Sequence, residues 1–148
     1  MKRIAMFSAI VALFASVALA GFDQYNSKNY TTCLNPKAVT TSAAVITNST
    51  STGVDIAGLP GNGCMVFAYQ CNNQADAVLS FSLSSSATTN GTYATYTNAD
   101  GVSAWAYTNA AGFGKILFRP NSVSRYLRVT VTPTAVTNGV AGAVLVTE

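Results

Sequence analysis

The stretch of this sequence that decides the fold is Tyr126-Leu127-Arg128-Val129-Thr130-Val131-Thr132. Its apolar and polar side chains alternate with a period of two, the spacing at which a β-strand places successive residues on opposite faces. The run Leu79-Ser80-Phe81-Ser82-Leu83-Ser84 alternates in the same way. The apolar residues of the two runs are expected in one core: Leu79, Phe81, Leu83, Leu127, Val129 and Val131.

Short β-rich runs occur throughout the chain after residue 20, and none has a helical period. Turn residues separate them, for example Asp100-Gly101, because Gly and Asn tolerate positive φ. The predicted strands are residues 38–47, 53–59, 64–71, 77–84, 92–97, 102–108, 115–118, 125–132 and 140–147. This pattern is typical of a sandwich. We therefore predict an all-β fold, a two-layer antiparallel β-sandwich (jelly-roll or immunoglobulin-like) of about eight or nine strands.

The first twenty residues are predicted to be a secretory signal peptide. Lys2 and Arg3 precede an apolar run over residues 4–17, and Ala18-Leu19-Ala20 supplies the small-residue pattern that signal peptidase prefers. The alternative is a retained membrane anchor, but the run is short against the roughly 20 apolar residues that span a bilayer. The expected location is therefore secreted, extracellular or at the cell surface.

The rest of the chain suits one domain with an arm in front of it. Residues 21–37 are polar and aromatic without a clear period, so they are predicted to be an N-terminal arm, and the β-sandwich domain is expected over residues 38–148. Such an arm is stabilised by docking, either on its own domain or on a neighbouring subunit. Its apolar residues are candidate assembly contacts: Phe22, Tyr25, Tyr30 and Leu34.

Charged residues make up only 9% of the chain. Lys2 and Arg3 lie in the predicted signal, so the net charge falls from +3 for the whole chain to +1 after cleavage. No basic patch remains that would attract nucleic acid. A surface with so few charges lacks the mutual repulsion that keeps proteins apart, which favours contacts between copies.

The sequence offers no catalytic constellation. Histidine, the commonest general base and metal ligand, does not occur. Glycoside hydrolysis needs a carboxylate pair, whereas Asp55, Asp76 and Asp100 occupy strand or turn positions, where Asp is usually a turn former. We therefore predict that the protein is not an enzyme, with no catalytic residue, metal site or cofactor.

Three cysteines are disulfide candidates: Cys33, Cys64 and Cys71. Cys64 and Cys71 flank one apolar run, and an extended strand would hold their Cα atoms much further apart than the limit of about 7 Å for a bridge. Cys33 is therefore expected to pair with one of them in an oxidising compartment, within the chain or between subunits. Their spacing matches no common zinc-ligand pattern.

Three aromatic residues are candidates for stacking on a glycan: Trp105, Tyr107 and Tyr93. Trp105 and Tyr107 share one face of a predicted strand, and Tyr93 lies nearby in sequence. The other interpretation places Trp105 in the core or at a subunit contact, where its large apolar body is most useful.

Five features carry a family resemblance: Val54-Asp55-Ile56-Ala57-Gly58-Leu59, Leu79-Ser80-Phe81-Ser82-Leu83 with the Asn-Gly-Thr loop after it, Trp105, the run from Arg125 to Thr132, and Val140-Ala141-Gly142-Ala143-Val144-Leu145-Val146. In these features residues 53–148 resemble small β-sandwich structural proteins of tailed-phage virions, of the kind that decorate or join capsid parts. The resemblance implies a structural role without catalysis. The signal peptide departs from that family, because virion proteins assembled in a host cytoplasm carry none.

Together these observations predict an exported, non-catalytic structural protein that self-assembles into an extracellular or cell-surface polymer, such as a filament, sheath or layer. Its expected partners are copies of itself, with no nucleic acid and, after signal cleavage, no membrane. Two alternatives remain open: a carbohydrate-binding or adhesive β-sandwich module, whose partner would be a glycan, and a virion decoration protein.

The signal peptide generates the first testable prediction. Export of the full chain should release a protein that begins at Gly21, because cleavage follows the small residues of Ala18-Leu19-Ala20. Intact-mass measurement of the exported protein checks this. A membrane-bound species that retains residues 1–20 would contradict it.

Overall fold

The computed structural model describes residues 29–42, 45–46, 49–71, 76–108 and 111–147. The predicted signal peptide and residues 21–28 of the predicted arm lie outside these ranges. The described residues form one 3₁₀ turn (Pro120–Ser122) and twelve β-strands: β1 (Asn29–Val39), β2 (Thr41–Ser42), β3 (Val45–Ile46), β4 (Ser49–Thr50), β5 (Val54–Asp55), β6 (Gly63–Cys71), β7 (Val78–Ser86), β8 (Ala94–Thr95), β9 (Ala104–Tyr107), β10 (Ala111–Leu117), β11 (Tyr126–Thr134) and β12 (Gly139–Thr147).

Ten of these strands form two sheets. The four-stranded sheet has the order β1-β12-β6-β10. The six-stranded sheet has β11 and β7 at its centre, with β4 and β5 beside β11 and with β8 and β9 beside β7. The strand pairs of both sheets are antiparallel, and β2 and β3 form a separate two-stranded sheet. The predicted fold class, a two-layer antiparallel β-sandwich, is confirmed.

The core lies between the two sheets, where the period of two in β7 and β11 places their apolar residues. All six predicted core residues of these strands are at most 1% exposed. From the other sheet, β6 contributes Met65, Phe67 and Tyr69, which alternate with half-buried residues. The ring of Phe67 stacks on that of Phe81, with centroids 4.6 Å apart. This contact joins the four-stranded sheet to the six-stranded sheet at the centre of the core.

The first strand corrects the predicted boundary of the arm. Residues 29–37, assigned from the sequence to the arm, belong to β1 and pair with β12. The register shifts on both sides of Leu34, and such irregularities break the period of two that identifies a strand in a sequence. The strand predicted over residues 38–47 is divided accordingly, because β1 ends at Val39 and the short β2 and β3 follow it.

β10 forms an edge of the four-stranded sheet and has two glycines on its inner face. A Cβ atom at Gly112 would lie 2.8 Å from the Tyr69 hydroxyl, and one at Gly114 would collide with the ring of Tyr107. The two tyrosine rings stack on each other with centroids 4.7 Å apart and cover the glycines. An aromatic residue placed over a glycine of an edge strand completes a surface that the strand itself leaves without side chains.

The Phe67–Phe81 contact generates a stability prediction. Phe81→Ala should lower the free energy of unfolding by about 3–5 kcal/mol, because it removes a fully buried ring that packs between the two sheets and leaves a cavity. Val102→Ala is the control, since Val102 is exposed on the turn between β8 and β9, and it should change stability by less than about 0.5 kcal/mol. Urea unfolding followed by circular dichroism measures both, and equal losses would refute the assigned core.

Candidate functional site

A cleft with a volume of about 1010 Å³ opens between the edges of the two sheets. One wall consists of β8 and the turn after it, residues 94–100, and the other is formed by the end of β10 and by residues around the 3₁₀ turn. Tyr96, Ile116 and Val123 line the cleft and also pack against the core. On the opposite side of the sandwich β1 contacts β4 and β11. The sandwich is therefore open at the β8 and β10 edges and closed at the β1 edge.

Local hydrogen bonds shape the wall that follows β8. The Asn98 side-chain oxygen accepts hydrogen bonds from the backbone N–H groups of Asp100 (3.0 Å) and Val102 (2.8 Å). Gly101, predicted from the sequence to be in this turn, has φ of 78°, where a side chain would be strained. The rings of Tyr96 and Phe118 make an edge contact, with centroids 5.3 Å apart. Because Phe118 is fully buried, this contact holds the wall against the core. The cleft is therefore bounded by a defined turn.

Large apolar side chains are exposed on the outer face of the four-stranded sheet. Leu117 on β10 is 69% exposed, Phe113 on the same strand 49%, and Tyr30 on β1 62%. The registers place Leu117 and Tyr30 in one row across the sheet, with Cys64 and Val146 between them. Leu117 also borders the cleft. An apolar row thus runs from one edge of this sheet to the other.

The structure separates the four expected assembly contacts. Phe22 and Tyr25 lie outside the described residues. Tyr30 is exposed, as an assembly contact requires. Leu34 is 6% exposed and belongs to the core of its own domain, so its expected contact with a neighbouring subunit is corrected. Burial follows from its place in β1, next to Ala143 of β12.

The sequence analysis missed β10 as a surface element. Only residues 115–118 were predicted as a strand there, whereas β10 spans Ala111–Leu117. Phe113, Lys115 and Leu117 face outward at a period of two. The alternation is hard to recognise in the sequence because two of the inward positions are glycines. That spacing is the one signal from which the exposed apolar residues could have been found.

The three candidate glycan-stacking residues do not share a surface. Trp105 and Tyr107 are on one face of β9, as predicted, and this face points into the sandwich. Trp105 stacks on Phe67 with centroids 5.9 Å apart, and Tyr107 stacks on Tyr69. Burial raises the pKa of Tyr107, and the nearby Tyr69 adds to the shift. Both rings therefore border the core.

Tyr93 lies on the other face of the six-stranded sheet. The Arg128 guanidinium sits over its ring, 3.7 Å from the centroid, and Arg128 alternates with the inward-facing Leu127 and Val129 of β11. The Tyr93 hydroxyl donates a hydrogen bond of 2.8 Å to the carbonyl of Thr89. The ring is thus held by a cation–π contact on the outer face, away from Trp105.

Arg125 and Asp55 form an ion pair on the surface, here called the surface clamp. Arg125 donates hydrogen bonds to both carboxylate oxygens of Asp55, at 2.6–3.0 Å. These bonds, together with one from the Ala57 backbone, hold the pKa of the Asp55 carboxyl below its ordinary value. The clamp joins β5 to the start of β11, where Asp55 of β5 is in register with Tyr126 of β11. Its exposure and its position between two strands indicate a structural role.

No group of three or more potential metal ligands lies together in the part of the chain that the structure describes. Within the same ranges, no helix has the length and hydropathy needed to cross a bilayer.

The described residues include all three cysteines, and no disulfide joins any of them. Cys33 lies on β1, whereas Cys64 and Cys71 both lie on β6, and β12 runs between the two strands. Two strand spacings amount to roughly 9–10 Å, which exceeds the limit of about 7 Å between bridged Cα atoms. The expected pairing of Cys33 within the chain is therefore corrected, because it required strands that the sheet keeps apart.

The cysteines also differ in their surroundings. Cys33 and Cys71 are buried in the core, whereas Cys64 is half-buried on the outer face of β6. Burial raises the pKa of the Cys33 thiol to about 12, an effect that a backbone hydrogen bond from Leu145 partly opposes. Burial raises the pKa of Cys71 as well. At neutral pH both buried side chains are protonated thiols, the unreactive form.

No protein-family model matches the chain, and no curated protein matches it. Among solved structures, it is similar to a chain of the cowpea mosaic virus empty virus-like particle, with a TM-score of 0.40 and 8% identity over 82% of this chain and 85% of that chain.

It is also similar to a chain of the cowpea mosaic virus top component, a naturally occurring empty particle. The TM-score is 0.42, with 9% identity over 82% of this chain and 87% of that chain. Both chains come from particles of one virus, which is not a tailed phage.

The cysteine geometry generates a reactivity prediction. Native protein treated with iodoacetamide at about pH 8 should not be alkylated at Cys33 or Cys71, because burial keeps both thiols protonated and inaccessible. The protein unfolded without reductant should take up three alkyl groups. Peptide mass spectrometry locates the modified residues. A form that lacks two hydrogens and two alkylation sites would reveal a disulfide within the chain and contradict the strand order.

Proposed function

We propose that this protein is an exported, non-catalytic structural protein that assembles with copies of itself into an extracellular or cell-surface polymer, such as a filament, sheath or layer. The observation that carries the proposal is the edge strand β10. Its outer face presents Phe113 and Leu117 to solvent, 49% and 69% exposed. Apolar residues on the exposed edge of a sheet favour pairing with another chain.

The two edge strands of the four-stranded sheet differ in a way that supports this proposal. β1 carries Pro36 and two register shifts, features that protect an edge against pairing. β10 is regular over seven residues, contains no proline and carries one charged residue, Lys115. One edge is therefore protected, and the other retains the properties of a strand that accepts a partner.

The charge composition supports association further. Only 9% of the residues are charged, and the predicted cleavage of the signal leaves a net charge of +1. Copies of such a protein repel each other weakly. Burial of apolar surface therefore meets little electrostatic opposition when two copies approach.

The candidate site residues favour structure over chemistry or glycan binding. Asp55 is held in an ion pair with Arg125, and the sequence contains no histidine. A glycan-binding platform needs neighbouring exposed aromatic rings, whereas Trp105 and Tyr107 point into the sandwich and Tyr93 lies on its outer face. These three residues therefore form no contiguous aromatic surface that would support the carbohydrate-binding alternative.

Assembly is tested on the mature protein, residues 21–148. Sedimentation velocity at rising protein concentration should detect growing oligomers, and negative-stain electron microscopy should show regular polymers. Raising the salt concentration should not dissolve them, because apolar contacts are not screened as charges are. A monomer at every concentration would refute the proposal.

A double variant tests the role of β10 in that assembly. Phe113→Asp with Leu117→Asp should shift the onset of assembly to at least about tenfold higher concentration, because two charges replace buried contacts. The matched control is Thr134→Asp, a change at an exposed residue at the end of β11, away from the cleft, which should leave the onset unchanged. Equal effects of the double variant and the control would show that β10 is not the contact surface.

A further inference from the structure

The open side of the sandwich has the geometry of a site for one additional strand. Among the described strands, β10 pairs with β6 on one side, and β8 pairs with β7. The cleft of about 1010 Å³ lies between these two edges. Its apolar floor is formed by Tyr96, Ile116 and Val123, which also pack against the core. A peptide that pairs with β10 would also bury this floor.

The segment before β1 matches the acceptor in length. Residues 21–28 number eight, and an extended chain of that length spans about 26 Å. The seven residues of β10 span roughly 23 Å. The segment contains Phe22 and Tyr25 but no proline or glycine after Gly21. Because Phe22 and Tyr25 are three positions apart, an extended conformation would place them on opposite faces.

The strand order decides from which molecule the segment comes. β1 and β10 are opposite edges of the four-stranded sheet, so Asn29 is three strand spacings, about 14 Å, from β10. A chain that crossed this distance to its own cleft would use about four of its eight residues on the way. The remainder would cover only about half of β10. The same segment of a neighbouring copy meets no such limit and can pair along the whole strand.

We propose that residues 21–28 of one copy bind as an added β-strand in the cleft between β8 and β10 of the next copy. One of Phe22 and Tyr25 packs on Ile116 and Tyr96, and the other contacts Phe113 on the outer face. Donor and acceptor lie at opposite edges of the sheet, so the contact is head-to-tail and joins the subunits into an open chain or, where the rotation closes, a ring. This inference rests on the proposed self-assembly and identifies the surfaces that perform it.

Complementary variants of the mature protein test the inference. The donor variant combines Phe22→Asp with Tyr25→Asp and leaves the cleft intact. The acceptor variant is Ile116→Lys, which places a charge on the cleft floor. Each variant alone should remain monomeric in sedimentation velocity. Their equimolar mixture should form heterodimers and nothing longer, because only one intact donor meets one intact acceptor.

A second acceptor variant guards against unfolding. Thr95→Trp changes an exposed residue of β8 that lines the cleft, and it should block docking without disturbing the core. The matched control is Thr134→Trp, at an exposed residue at the far end of β11, which should assemble like the wild type. Circular dichroism confirms that each variant is folded, and Thr95→Trp replaces Ile116→Lys in the mixture if the latter unfolds.

The outcomes separate this inference from the proposed function. If the wild type assembles and the donor variant assembles equally well, the strand-addition mechanism is wrong while self-assembly stands. A mixture that stays monomeric also overturns the mechanism. If the wild type itself stays monomeric, the proposed function fails.

Discussion

The stacked rings of Phe67 and Phe81 are the contact on which the rest of the structure depends. One ring belongs to β6 and the other to β7, and their centroids lie 4.6 Å apart. Both side chains are fully buried, so the pair fixes how the two sheets face each other across a core about 10 Å thick. Trp105 and Tyr107 then pack around the pair from β9, which extends the aromatic core toward the open side.

The aromatic core also explains the unusual composition of β10. Tyr69 and Tyr107 reach from the centre of the sandwich to its edge, and their rings occupy the space where side chains of β10 would otherwise lie. Gly112 and Gly114 leave room for these rings, because a Cβ atom at Gly112 would crowd the Tyr69 hydroxyl and one at Gly114 would overlap the Tyr107 ring. Ile116, beyond the tyrosine pair, is the inward-facing β10 side chain that borders the cleft. The cleft therefore begins where the aromatic cover ends.

The sequence predicted correctly those parts of the fold in which apolar and polar residues alternate regularly along a strand. Alternation placed Leu79, Phe81 and Val129 in the core correctly, because each lies on a regular strand with one buried side. It failed at β1, where two register shifts interrupt the period, and at β10, where glycines replace the inward residues. The cleft itself was beyond such reasoning, since its walls are distant in sequence and meet only through the order of strands in two sheets. The predicted pairing of Cys33 within the chain was wrong for the same reason, because it too depends on the order of strands in the sheet.

The two sides of the sandwich differ in how well they can pair with another strand. At the β1 side the sheets meet, and Pro36 with the register shifts makes that edge a poor template for pairing. At the β10 side the edge is regular, its outer residues are apolar, and the sheets leave a cleft between them. In the proposed strand addition the donor and the acceptor are different surfaces, so the contact is heterologous, and such contacts build open chains or closed rings. Every copy added by this proposed contact would present a new acceptor, and few charges would oppose the approach of the next copy.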